Sequence, residues 1–224
     1  MYSYVAKQLD EVRQSIPGDV ALVAVSKFHP IEALQEAYNA GQRRFGESRV
    51  QELLMKYPQM PDDVEWHFIG HLQTNKVRQI IGKVSLIESV DSYRLLSLID
   101  KESLRAGVTT RVLLQLHVAQ EDTKFGFSVE EVEELFATRQ HQSLEATQIC
   151  GLMGMASNTD DEARITADFA AISSCYNRLK NDPSLGLAGF DTLSMGMSDD
   201  RFIAISQGSN MVRVGTAIFG AREY

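Results

Sequence analysis

Ala21–Lys27 reads ALVAVSK, and close to the other end of the chain Val212–Gly220 reads VRVGTAIFG. The first is an apolar run with β-branched members, of strand length, closed by an amine; the second alternates apolar residues with Arg213 and then runs into Gly215 and Thr216. Working outward from these two, short apolar runs recur with longer stretches of helical period between them, the pattern of repeated βα units about a parallel sheet. The strand candidates are 20–26, 43–46, 65–70, 84–89, 111–118, 148–155, 192–195 and 211–214. Helical candidates include 31–40, 92–106, 129–139 and 161–180, after an opening helix over about 3–15. Eight strands, each followed by a helix, predict an α/β fold: a single (β/α)8 TIM barrel with an extra N-terminal helix, spanning residues 1–224 as one domain. The rival is a doubly wound open sheet. The barrel is preferred because closure sets the first and last strands side by side and so unites the two segments quoted above.

With 224 residues, 44% of them hydrophobic, the chain can bury one sizeable core. A formal charge of -8 without a clustered basic surface argues against nucleic acid as a partner. Arg43-Arg44 and Lys76-Val77-Arg78 are most simply solvated faces. The two cysteines, Cys150 and Cys175, lack any CxxC spacing and read as reduced, packed thiols. No leader pattern opens the chain and no apolar stretch nears the roughly 18 residues of a membrane span, so a cytoplasmic location is expected and a membrane partner is not.

Lys27, at the end of a buried strand, is the best nucleophile candidate. Partial desolvation lowers an amine's pKa and lets the neutral form attack an aldehyde; the plainer alternative is a solvated loop charge. In such barrels the site lies at the C-terminal ends of the strands, and a phosphate often sits between the loops after strands seven and eight. Ser198, Gly215 and Thr216 stand there. Small residues and a helix start suit an anion, although a glycine turn with an ordinary helix cap reads the same way. With Val212 and Val214 on one face, Arg213 is directed into the barrel, where a guanidinium needs a partner. That partner is either a structural carboxylate or the ring nitrogen of a cofactor whose aldehyde Lys27 holds.

AVSK (24–27), FGES-VQE (45–52), WHFIGHLQTNK (66–76), SMGMSDD (194–200) and VRVGTAIFG (212–220) together resemble the YggS/PROSC family of pyridoxal-phosphate-binding homeostasis proteins, over nearly the whole chain. The resemblance implies a barrel like the N-terminal domain of alanine racemase. It implies Lys27 as the Schiff-base lysine for pyridoxal 5′-phosphate (PLP), Ser198, Gly215 and Thr216 as phosphate ligands, and Arg213 at the pyridine nitrogen. The family commonly has Asn after FGE where this chain has Ser48. Ser48 is therefore a candidate cofactor contact with a shorter reach, bridged by water.

A ring nitrogen facing a donor-only guanidinium stays unprotonated, which weakens the electron sink on which pyridoxal chemistry depends. In alanine racemase a second-face tyrosine comes from a further domain across a dimer, and this chain ends at Tyr224, straight after the eighth unit. The expectation is a PLP carrier acting in vitamin B6 and amino-acid homeostasis with little or no turnover, no metal, a monomeric state, and PLP-dependent apoenzymes as candidate partners. The alternatives are a PLP-dependent amino-acid racemase or lyase, and a Schiff-base aldolase on a sugar phosphate. His67 and His71 have zinc-pair spacing, but Gly70 argues against the helix that spacing needs; they read first as satisfied strand-end histidines, with one or both lining the cofactor mouth as the alternative. Glu121–Gly126, with Lys124, reads first as a polar loop. The methionines of GLMGM (151–155) and SMGMS suggest adaptable packing near the mouth.

Overall fold

Eight parallel strands close into a barrel in strict chain order, β1 next to β2 and onward to β8, which pairs back onto β1, in a computed structural model that describes residues 3–119 and 125–221. The strands are β1 Ala21–Val25, β2 Arg44–Glu47, β3 Glu65–Phe68, β4 Leu86–Val90, β5 Thr110–Leu116, β6 Thr147–Gly154, β7 Thr192–Ser194 and β8 Met211–Val214. The helices are α1 Tyr4–Ser15, α2 Ile31–Asn39, α3 Val50–Lys56, α4 Val77–Ile80, α5 Tyr93–Ala106, α6 Val129–Ala137, α7 Glu162–Lys180, α8 Arg201–Ser206 and α9 Thr216–Phe219. All eight strand candidates are strands. β4 starts two residues later than the run of apolar residues, and β3 and β5 each stop two residues short, where the backbone turns into the mouth.

Local chemistry explains the helix starts. Ser3, Ser92 and Asp161 each accept a backbone N–H from the first turn of α1, α5 and α7, and Ser128 with Glu131 forms a reciprocal capping box on α6. Gly107 ends α5 in the left-handed region at φ 68°.

Alternation along each strand divides two apolar shells. Leu22, Ala24, Val212 and Val214 face outward and pack with Leu9 of α1 and Leu34 of α2, while Val23, Leu86, Leu113, Cys150, Met153 and Met211 fill the interior. Cys150 and Cys175 are both buried and unbridged, and burial pushes the Cys175 thiol up to about 11, which keeps it protonated. Among the described residues no helix is long and apolar enough to cross a membrane.

Candidate functional site at the barrel mouth

Closing the ring makes β7, β8, β1 and β2 consecutive, and the sequence-predicted residues lie at the C-terminal ends of these four strands. Lys27 and Ser48 follow β1 and β2, and both are half-buried. Ser198 is in the turn after β7, half-buried, with its carbonyl accepting from Arg201. Gly215 caps α9 and exposed Thr216 is its first residue, so the first amides there have no acceptor within the helix. A Cβ on Gly215 would stand 3.2 Å from Val25 O, so the glycine lets the end of β8 lie against the end of β1. The His29 and Phe219 rings stack at 5.0 Å across the same seam. A Cβ on Gly70 would overlap the Ser48 carbonyl, which explains why a glycine follows β3.

Arg213 enters the barrel as its strand position requires, beside Val23 of β1 in the register. It is only 3% exposed. One terminal nitrogen donates to Ser194 O at 2.9 Å and to Ser194 Oγ at 2.6 Å; the other donates to Gly154 O at 3.0 Å. Ser194 Oγ passes its own hydrogen to Glu88 Oε2 at 2.6 Å, and Glu88 Oε1 meets His67 Nδ1 at 2.6 Å. Glu88 and Arg213 lie 3.7 Å apart as an ion pair. Burial pushes the Glu88 carboxyl up, but His67, then Arg213 and Ser194, more than offset it and hold the group below the usual carboxylate range. Burial pulls the Arg213 guanidinium down, with Glu88 opposing. The structural partner and the availability for a ligand are thus compatible: Nε of Arg213 makes no hydrogen bond among the described residues.

A second buried charge cluster flanks Lys27 on the outside of the barrel. Lys56, the last residue of α3, spends its three N–H groups on Ser26 O at 2.8 Å, Glu47 Oε1 at 2.8 Å and Glu52 Oε1 at 2.7 Å. Ser26 Oγ donates to Glu47 at 2.6 Å, and the Phe28 N–H donates to Glu52 at 2.6 Å. Burial pushes the Glu47 carboxyl up despite Lys56 and Ser26. Glu47 Oε2 has no hydrogen-bond partner among the described residues.

Sequence reasoning missed Glu88, Glu47, Glu52 and Lys56. The available signals were the single charge inside the apolar run LIESV (86–90), the Glu47 that closes the short strand RFGE (44–47), and the i,i+4 spacing of Glu52 and Lys56. His67 belongs to the barrel interior and not to the mouth, because it lies on β3 with its ring toward Glu88. His71 does sit at the mouth, paired with Asp91 at 2.7 Å and stacked on Phe125 at 3.8 Å. The two histidines therefore serve different carboxylates. Met153 and Met195 are fully packed, whereas Met197 is exposed. The reading of Lys124 lies outside the described residues.

The family model of the alanine racemase N-terminal domain matches residues 3–223. A pyridoxal phosphate homeostasis protein of Schizosaccharomyces pombe is 41% identical over 95% of this chain and 89% of its own length, and one of Pseudomonas aeruginosa is 39% identical over 98% and 94%. The chain belongs to the pyridoxal phosphate homeostasis protein family. Among solved structures of this family, PipY of Synechococcus elongatus superimposes with a TM-score of 0.91 at 35% identity, covering 96% of this chain and all of PipY. PipY has also been solved with PLP bound, and that form matches at a TM-score of 0.88. Alanine racemase of Clostridium difficile shares the fold at a TM-score of 0.76 and 14% identity, and this chain spans 57% of it.

Proposed function

We propose that this chain is a single-domain intracellular carrier that holds PLP as a Schiff base on Lys27 and serves PLP homeostasis with little or no turnover. The observation that carries the reading is the β1–β8 seam, which pairs Val23 with Arg213 and lays Gly215 against Val25, so that the strand end leading into Lys27 adjoins the one leading into Thr216. PLP-bound PipY, 35% identical along 96% of this chain, supports it.

The residues fit the group. The start of α9 offers amides and the Thr216 hydroxyl to a phosphate, with Ser198 on the adjoining loop. Three of the five N–H groups of Arg213 go to Ser194 and Gly154, and Nε is among those left to serve the ring nitrogen. Ser48, at the end of the next strand, is the further candidate contact, with a shorter reach than the asparagine common in the family. When bound, PLP supplies an aldehyde to capture and a ring able to withdraw electrons. Arg213 works against the second property, because a donor-only group leaves the ring nitrogen unprotonated. The interior chain of Glu88, Ser194 and His67 is arranged to keep that guanidinium in place, and PLP-dependent apoenzymes are the natural recipients of a cofactor so held.

Borohydride reduction tests the reading. The pyridoxyl group is expected on the peptide containing Lys27, and Lys27→Ala is expected to lose the visible band. Label on another lysine, or amino-acid racemisation at ordinary enzyme rates of about 1 to 1,000 per second, overturns it.

A further inference from the structure

We infer that Glu47, Glu52 and Lys56 form a positioning cluster that fixes the turn bearing Lys27, and so governs how readily that lysine captures an aldehyde. This rests on the Lys27 Schiff base proposed above. Both sequence neighbours of Lys27 are held by the same ammonium group and its carboxylates: Ser26 through its carbonyl and hydroxyl, Phe28 through its N–H.

The turn needs holding. Phe28 has φ 68°, one of two non-glycine residues with positive φ among those described. A side-chain-bearing residue in the left-handed region is sterically strained, and such a conformation persists only where its surroundings over-determine it. Here the Glu52 carboxylate takes the Phe28 N–H at 2.6 Å, and the Arg49 guanidinium lies 4.6 Å over the Phe28 ring. Lys56, in turn, fixes Glu52 from one turn along α3 and ties it to Glu47 and to the end of β1.

The cluster is a poor device for stability alone. It sets one buried and one half-buried carboxylate against a single ammonium group and leaves Glu47 Oε2 without a hydrogen-bond partner among the described residues. Replacing buried ion pairs by apolar residues is often neutral or stabilising. What the charges supply is direction: three acceptors at fixed angles around one nitrogen, each on a segment that touches the Lys27 turn. In the capture step the neutral Lys27 amine adds to the aldehyde carbon, and the amine's two protons leave with the aldehyde oxygen as water. A nucleophile already held in register meets that carbon without a further ordering cost.

The test compares two ligands on the full chain. PLP uses Lys27; pyridoxine 5′-phosphate has the same ring and phosphate but no aldehyde. Glu52→Ala is expected to weaken PLP at least tenfold and to slow borohydride-trappable capture by a similar factor, with pyridoxine 5′-phosphate changed less than twofold. Glu52→Gln retains an acceptor for the Phe28 N–H and should restore most of the PLP affinity. If Glu52→Ala does not fold, the triple replacement Glu47→Met, Glu52→Met, Lys56→Met leaves no charge unpaired and carries the same comparison. An unchanged ratio of the two affinities in a folded variant, or equal weakening of both ligands, overturns the inference. Failure of the wild-type protein to form any reducible adduct at Lys27 instead overturns the function on which it rests.

Discussion

The two buried charge clusters of this barrel are built by opposite means. The outer one joins Ser26, Glu47, Glu52 and Lys56, all from the first quarter of the chain, and its ammonium group has a carboxylate to spare. The inner one joins His67, Glu88, Ser194 and Arg213 from four strands, and a single carboxylate serves all the others. Burial wins at Glu47, whose carboxyl is pushed up, and loses at Glu88, whose carboxyl is held down by its three partners. The lesson is that equal burial does not mean equal electrostatics: the number and kind of donors aimed at each oxygen decide it.

The comparison breaks first under truncation. Glu88→Ala strands Arg213 with neutral acceptors only, and breaking a buried pair in this way costs about 3–5 kcal/mol. Glu47→Ala leaves Lys56 with Glu52 and Ser26 O and removes an unpartnered oxygen, so about 1–3 kcal/mol is expected, at the level of a single charged hydrogen bond. Urea unfolding of the two variants measures both; equal losses would end the distinction.

Acid sharpens it next. Glu88, held below the ordinary glutamate value of 4.5, contributes stability that is fully present above that value and is lost as pH falls through its folded value. Glu47, pushed above 4.5, has the opposite sign: its cost is present above its folded pKa and is relieved as pH falls through the interval down to 4.5. Relative to wild type, Glu88→Gln should therefore lose its stability deficit on acidification. Any Glu47→Gln advantage should disappear as pH falls toward 4.5. Urea midpoints between neutral pH and about pH 3, a range spanning ordinary carboxyl titration, separate the two slopes.

The smallest effects come from the hydroxyls. Ser194 Oγ links Arg213 to Glu88, whereas Ser26 Oγ donates to Glu47. Both charged groups keep their other partners, so each lost bond is expected near the ordinary net value of about 0.5–1.5 kcal/mol, and Ser194→Ala, which loses two, should cost about twice what Ser26→Ala does. Thermal unfolding of the two variants decides the order.

The same contrast sets how much was legible in advance. The barrel could be read because β-branched runs and helical stretches alternate, and because alternation along 211–214 puts Arg213 opposite Val212 and Val214. Lys27, Ser198, Gly215 and Thr216 could be placed at the mouth because strand ends and helix starts mark themselves. The role of Glu88 could not, since its partner Ser194 lies 106 residues away and only barrel closure brings the two within reach. The outer cluster left a fainter trace, the four-residue step from Glu52 to Lys56, which by itself describes any solvated helix face.

The seam between β1 and β8 has a further consequence, one of timing. Val23 pairs with Arg213 from the opposite end of the chain, so this ladder closes the longest loop in the ring and meets the highest entropy of closure. A polypeptide emerging from the ribosome carries Lys27 long before Arg213, Gly215 and Thr216 follow it. The seam that sets the end of β1 against the end of β8 therefore exists only once the ring has shut.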